Sequence, residues 1–242
     1  MQERAGTVYL TADEMRKLDA ITILESRVNV LSLMENAGRA TAILARQMML
    51  GTTIGKRVAC LIGGGNNGGD GMVAARHLAN WGAEVDVVVA TARDRMKRVP
   101  LAQLRTLEKM EIPIVSTGYN LRDYDLLIDG LIGYGLEGNP RDKVAKTIED
   151  ANNSDRRILA LDLPSGMNAT TGKVYDPCIR ATATLTLALP KTCFLPFDAS
   201  PYVGDLYLAD ISIPRNVYKR FGQKSILFQE DTLLKIPLPP AE

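Results

Sequence analysis

Residues 61–71, Leu61-Ile62-Gly63-Gly64-Gly65-Asn66-Asn67-Gly68-Gly69-Asp70-Gly71, constrain the fold of this chain more than any other stretch. An apolar run over residues 58–62 reads as a buried strand, and Val73, Ala74, Leu78 and Trp81 recur behind it at helical spacing. Strand, glycine-rich turn, helix is an order that aims backbone N–H groups and a helix N-terminus at an anion. Glycine serves where the backbone takes positive φ or approaches a ligand closely. A merely flexible surface loop would require neither the strand before it nor the helix after it. The stretch reads as a binding loop.

Two familiar loops are set against it. Gly63, Gly65 and Gly68 satisfy G-x-G-x-x-G, a weak pattern when it stands alone. A dinucleotide site also expects an acidic residue about 20 residues further on, at the end of the next strand. Here that strand, residues 84–90, runs into Thr91-Ala92-Arg93-Asp94-Arg95, and Asp94 lies past its end between two arginines. The G-K-[ST] ending of a phosphate-cradling loop is missing too. The loop resembles both and is neither.

At 242 residues and 46% hydrophobic, the chain reads as one α/β domain over residues 1–242, with a core of about 9–214 and a tail over 215–242. Its net charge of +1, from 29 basic and 28 acidic residues, makes no electrostatic case for nucleic acid or a membrane surface. No apolar run reaches the roughly 20 residues of a membrane span, and the first residues lack a secretory apolar stretch. Cys60, Cys178 and Cys193 are widely spaced, with Cys60 inside the first strand, so reduced thiols and a cytoplasmic setting are expected. His77 is the single histidine, in the middle of a helix, where a packing or surface hydrogen bond is its expected role. Chemistry then falls to carboxylates, lysines or a bound ion.

Along the chain, Thr11-Ala12-Asp13-Glu14 is a capping-box pattern, and Ser32-Leu33-Met34-Glu35 is a second, so two helices are predicted before the first strand. The strongly basic residues 93–98 read as a solvated helix start. Further strands are expected at 112–115, 126–128, 158–161, 183–189 and 206–213, with a helix starting at Pro140. Strands alternating with helices predict a mainly parallel sheet covered on both faces. Residues 236–242 are expected to be loose.

In such sheets, ligands bind beyond the carboxyl ends of the strands where the order switches. Three strand ends carry polar oxygen-bearing residues: Asn66 and Asn67, Asp129, and Asp162-Leu163-Pro164-Ser165-Gly166. Singly, each has an ordinary turn-forming explanation. Together they make a hard-oxygen set suited to an alkali or alkaline-earth ion and not to zinc.

Residues 64–71 followed by Ala75-Arg76-His77-Leu78 resemble the signature of the NAD(P)HX epimerase family, the YjeF N-terminal domain family. Leu33-Met34-Glu35-Asn36-Ala37-Gly38 is similar to its helix motif. Asp129-Gly130-Leu131-Ile132-Gly133-Tyr134-Gly135-Leu136 and Asp162-Leu163-Pro164-Ser165-Gly166 resemble its second and third loops. Leu189-Pro190-Lys191, Val203-Gly204-Asp205-Leu206 and Asp210-Ile211 look like its later strands, so the match covers roughly residues 9–214.

The resemblance implies a Rossmann-like three-layer α/β/α sandwich with two extra N-terminal helices. It also implies an isomerase that interconverts the R and S forms of hydrated NADH or NADPH, so that a separate dehydratase can restore the cofactor. By that resemblance Asn66, Asn67, Gly68, Gly69 and Asp70 bind the substrate, in part through its pyrophosphate. Gly133, Tyr134, Gly135, Leu136, Glu137, Gly138, Asn139 and Asp162 line the rest of the pocket. Asn67, Asp129 and Ser165 hold a potassium ion, and a homodimer is the expected assembly. Only about 28 residues follow Pro214, too few for the dehydratase domain fused in many members, so a partner enzyme is expected.

Carbon 6 of the hydrated ring bears a hydroxyl and the ring nitrogen. It can invert by loss and return of the hydroxyl or by ring opening and closure, and both need a proton donor and acceptor. Asp162 is the chosen acid–base residue, with Lys191 as its electrostatic or acid partner, although a lysine after a strand is ordinarily a surface charge. Two other readings are kept. One is a non-catalytic nucleotide-binding or scaffold protein of the same fold, since relatives of this fold serve RNA-decapping assemblies or bind apolipoprotein. The other is an NADP-dependent reductase using Arg93 or Arg95 for the 2′-phosphate.

Overall fold

The computed structural model describes residues 2–4, 6–116 and 119–238. A short antiparallel hairpin, β1 (Gln2–Arg4) and β2 (Thr7–Tyr9), leads into helices α1 (Ala12–Leu24) and α2 (Val30–Met48). Then follow β3 (Arg57–Ile62), α3 (Asn66–Asn80), β4 (Glu84–Val89), α4 (Arg98–Lys109), β5 (Ile114–Val115) and β6 (Leu126–Gly130). The second half carries α5 (Asp142–Asn152), β7 (Arg157–Leu161), β8 (Ala183–Leu187), α6 (Ser200–Val203), β9 (Asp205–Ala209), α7 (Arg215–Arg220) and β10 (Leu233–Ile236).

Among the described residues, the main sheet runs β10-β9-β8-β7-β6-β3-β4-β5 and is parallel except for β10. From β3 the chain moves outward to β4 and β5, then returns to place β6 on the other side of β3. That reversal opens a crevice between the carboxyl ends of β3 and β6, where ligands bind in doubly wound sheets. The period of two along each strand divides the core. Val58, Cys60, Ile62, Leu126 and Ile128 pack under α1 to α4, while Ala59, Leu61, Leu127 and Ala160 meet Ile148 and Ala151 of α5. The result is the expected three-layer sandwich.

The capping box at Thr11 is present, with Thr11 Oγ1 accepting from Glu14 N and Glu14 reaching back to Thr11 N. The second box is not. Asn29, with extended backbone, caps α2 by accepting from Leu31 N at 2.8 Å, so the helix begins before Ser32. Glu35 instead faces α3, pairing with Arg76 and holding His77 Nε2 at 2.8 Å. Pro140 lies before its helix, which opens at Asp142. Ile236, expected in a loose tail, pairs with Leu206 as the end of β10, because β9 otherwise presents unpaired backbone groups at the sheet edge. Residues 239–242 lie outside the described set.

The glycine-rich stretch is largely helix. α3 starts at Asn66, and the glycines of the stretch keep φ outside the positive region. Close approach explains them. A Cβ on Gly63 would collide with the Leu131 carbonyl, one on Gly68 with the Gly63 carbonyl, and one on Gly69 with Met34 of α2. Gly38, in the α2 motif, is equally shut in by Val73 and the Asp70 carbonyl. Gly63→Ala is expected to lower urea-unfolding stability by about 3 kcal/mol, because backbone must move to admit the methyl. Gly135→Ala, where a Cβ meets nothing within 4 Å, should change it by under about 0.5 kcal/mol.

Burial pushes the Cys60 and Cys178 thiols up to about 12 and raises Cys193 further. All three are free and buried. Thiolate is the reactive species, so a disulfide reagent at pH 8 should label none of them in the native protein and all three in denaturant.

Candidate active site

A cavity of about 530 Å³ opens at the switch point. Its floor is the start of α3 with the loops that follow β6, β7 and β8. Its upper wall comes from α1 and α2, through Met15, Asp19, Leu33 and Met34 among others. Apolar walls with a few convergent polar groups are what a small-molecule site requires.

Asp162 directly follows β7 with φ 71, a strained left-handed conformation for a non-glycine residue. Its N–H donates to Leu185 O at 2.8 Å, which ties the turn to β8. The carboxylate pairs with the Lys191 ammonium, and Lys191 has no solvent exposure. Lys191 Nζ also donates to Thr186 Oγ1 at 3.0 Å and Leu187 O at 3.1 Å, so all three of its protons are committed. The segment before α1 pins it. Leu10 lies alongside as a parallel bridge, donating to Pro190 O at 2.9 Å and accepting from Thr192 N at 2.9 Å. Lys191 is thus buried beside Asp162 and not the surface charge that a lysine after a strand ordinarily is, because β8 and the Leu10 strap place its stem inside.

Two further carboxyl groups share the cavity. Asp19 on α1 accepts a hydrogen bond from Tyr134 Oη at 2.7 Å. Burial raises its pKa, the Tyr134 bond and Lys191 oppose the rise, and Asp162 adds to it. Asp70 lies in the second turn of α3, and burial followed by repulsion from Asp162 and Asp19 holds its pKa well above the usual range. The Tyr134 phenol is raised by burial and by Asp19 beside it.

Asp129 is the last residue but one of β6 and has no exposure to solvent. Its Oδ1 accepts from Ser165 Oγ at 2.6 Å and Leu131 N at 3.1 Å, and its Oδ2 accepts from Ser165 N at 2.8 Å. Ser165 Oγ in turn accepts from Ile132 N at 2.8 Å. Burial pushes Asp129 up to about 6 against these bonds. Asn67 packs against the same loop, since a Cβ on Gly133 would stand 3.6 Å from Asn67 Oδ1. Asn67 Nδ2 is buried and has no hydrogen-bond partner among the described residues. Amide oxygen, hydroxyl and carboxylate are hard oxygen donors, a set whose chemistry fits an alkali or alkaline-earth cation, potassium included. Among the described residues, no cluster of three His, Cys, Asp or Glu side chains could hold a metal ion.

Of the other expected site residues, Asn66, Gly133 and Gly135 line the cavity with Asn67, Asp70, Tyr134, Asp162 and Lys191. Gly68 and Gly69 are in α3 beneath it, serving its packing. Leu136, Glu137, Gly138 and Asn139 run away from the lining, and Asn139 Oδ1 accepts from Asp176 N at 3.4 Å. Arg93 and Arg95 sit in an exposed turn and are not among the residues lining the cavity, and Arg93 is paired to Glu108. Sequence reasoning missed Asp19, Arg16 and Lys97, all of which line the cavity. A carboxylate one turn after Met15, on the apolar side of α1, was the available signal for Asp19.

A small-molecule cavity at the switch point of a parallel sheet, floored by a helix N-terminus and holding a buried carboxylate–lysine pair, defines a Rossmann-like α/β protein with an enzyme-like site. Residues 30–193 match the YjeF-related protein N-terminus family, and the chain belongs to it. It is 40% identical over 221 residues to an NAD(P)H-hydrate epimerase of Dehalogenimonas lykanthroporepellens, covering 89% of this chain and 86% of that one. The epimerase of Lentilactobacillus buchneri is 38% identical over 210 residues, covering 86% and 96%. A bifunctional NAD(P)H-hydrate repair enzyme of Moorella thermoacetica is 36% identical over 220 residues, which cover 87% of this chain and 42% of that one. The crystal structure of yeast ynu0 shares the fold, with a TM-score of 0.82 at 23% identity over 95% of this chain and all of that one.

Lys191→Met would leave Asp162 charged, buried and alone. It should cost about 3–5 kcal/mol in urea unfolding. Adding Asp162→Asn, which removes the stranded charge, should recover much of that loss in the double variant.

Proposed function

We infer that this chain is an NAD(P)H-hydrate epimerase, an isomerase that interconverts the R and S forms of hydrated NADH and NADPH. Similarity along most of its length to relatives of that name carries the reading. The cavity supplies the groups that such a reaction needs.

The first N–H groups of α3 have no partner within the helix and carry its positive dipole end. With Lys97 at the mouth, the turn at Asn66 and Asn67 suits the substrate pyrophosphate. The hydrated ring then lies toward Asp162 and Lys191. A carboxyl group gives its proton to the C6 hydroxyl, the ring-nitrogen lone pair pushes out water, and C6 becomes planar. Water returns to the other face, forms the new C–O bond and gives a proton to a carboxylate, so nothing is consumed. Asp162 performs one of these transfers, and Lys191 holds the charge of its ionised state. Asn67, Asp129 and Ser165 would hold a potassium ion, whose positive charge steadies the loops around the cavity.

The same proposal includes a dehydratase that takes the S form, and relatives named as bifunctional repair enzymes, of which this chain spans 42–44%, support that link. A homodimer and a cytoplasmic setting, implied by the resemblance, also belong to it. Among the described residues, no helix is long and apolar enough to cross a membrane.

The test is chromatography of a pure R-form hydrate incubated with the protein, with and without potassium. Conversion to an R and S mixture far faster than in buffer is expected, with Asp162→Asn slower by about 100-fold or more. An R form that stays unchanged overturns the reading. Full activity in Asp162→Asn would remove that residue from the proton transfer.

A further inference from the structure

We propose that Asp19, hydrogen-bonded to Tyr134, is the second acid–base residue of the epimerisation and the counterpart of Asp162. This rests on the epimerase reading above. On the dehydration–rehydration route given above, oxygen leaves from one face of the ring and returns to the other. A proton must therefore be given on one face and taken on the other, and a single carboxyl group cannot serve both within one binding event. Asp162 is confined, because it is buried and tied to the fully buried ammonium of Lys191. The second group has to come from a different element.

Asp19 meets that need. It projects from α1, on the wall built by the N-terminal helices, and Asp162 belongs to the wall built by the strand ends. Asp19 is only half-buried, so water can reach it as the reaction requires. Its Oδ2 takes the Tyr134 hydroxyl at 2.7 Å, and among the described residues its other oxygen has no hydrogen-bond partner and is left for substrate or water. Asp70, the third carboxyl, is more deeply buried in α3, one turn from Asn67 and next to the N–H groups assigned to pyrophosphate.

Charged and titratable groups face Asp19 from several elements. Arg16 on its own helix stands over the Tyr134 ring at 5.9 Å. Tyr134 comes from the loop after β6, Asp162 from the end of β7, Lys191 from after β8, Asp70 from α3, and Lys97 from before α4. Burial and Asp162 disfavour the carboxylate, whereas the Tyr134 hydroxyl and Lys191 favour it. In one direction, protonated Asp19 gives its proton to the departing hydroxyl while ionised Asp162 takes one from the entering water. In the reverse direction the roles exchange, which an isomerase requires.

The experiment measures kcat, KM and the pH profile of kcat/KM for the wild type, Asp19→Asn, Asp19→Glu and Tyr134→Phe on pure R-form hydrate. Native circular dichroism is checked for each. Asp19→Asn should lower kcat by about 100-fold with KM within about threefold, and one limb of the bell-shaped profile should vanish. Asp19→Glu should restore at least a tenth of the lost rate. Tyr134→Phe keeps the carboxyl but removes the donor that stabilises its charged form, so that limb should move to higher pH. Asp19→Asn with unchanged kcat and both limbs intact, or with only KM raised, overturns the proposal, as does Tyr134→Phe with an unmoved profile. A wild type that leaves the R form unchanged sinks the epimerase reading instead, and the two failures are separated by that control.

Discussion

The structure depends on how closely the turn between β3 and α3 can lie against the end of β6. Gly63 N donates to Gly130 O at 3.1 Å, and the Gly63 Cα faces the Leu131 carbonyl with no room for a methyl group. Gly68 then folds back onto Gly63, and Gly69 lets α2 settle onto α3. A side chain at Gly63 or Gly68 would meet backbone and drive α3 outward, and with it the helix N-terminus. The crevice of the switch point is therefore narrow, with Asn67 brought against Gly133 and the loop anchored by Asp129 and Ser165.

On that frame the molecule concentrates charge in a place that penalises it. Asp19, Asp70 and Asp162 share one cavity with a single buried lysine. Burial, with repulsion from neighbouring carboxylates, favours protonation of Asp19 and Asp70 although Lys191 opposes it. Neighbouring carboxyl groups whose environments differ are the usual way to obtain an acid and a base from one residue type. The strained backbone at Asp162 and the Leu10 strap over Lys191 fit the same picture, in which local cost is accepted at a site and offset by the packed sheet beneath it.

Much of the architecture was legible in advance. The uninterrupted apolar stretches of β3, β6 and β7, alternating with helices, signalled a parallel sheet covered on both sides, and the capping box at Thr11 located α1. The second capping box failed because Asn29, three residues earlier, offers a competing cap. The glycine-rich turn was recognised, but the reason for its glycines was only partly legible. Its glycines are needed less for unusual φ angles than because β6 and α2 press on them. That pressure comes from elements far along the chain and leaves no local mark.

By itself the sequence determined the central alternating strands and helices, the layer order and the identity of most polar residues at the strand ends, because these follow from periodicity and backbone preference within a few residues. Only the tertiary structure decided that Lys191 is internal, that Asp19 joins the site, and that residues 136–139 stand outside the cavity lining. Asp19 and Tyr134 are 115 positions apart, and Asp162 and Lys191 are 29 apart across two strands. Whether such pairs meet depends on strand order and on which helix covers which face, and those choices are settled by packing over the whole domain.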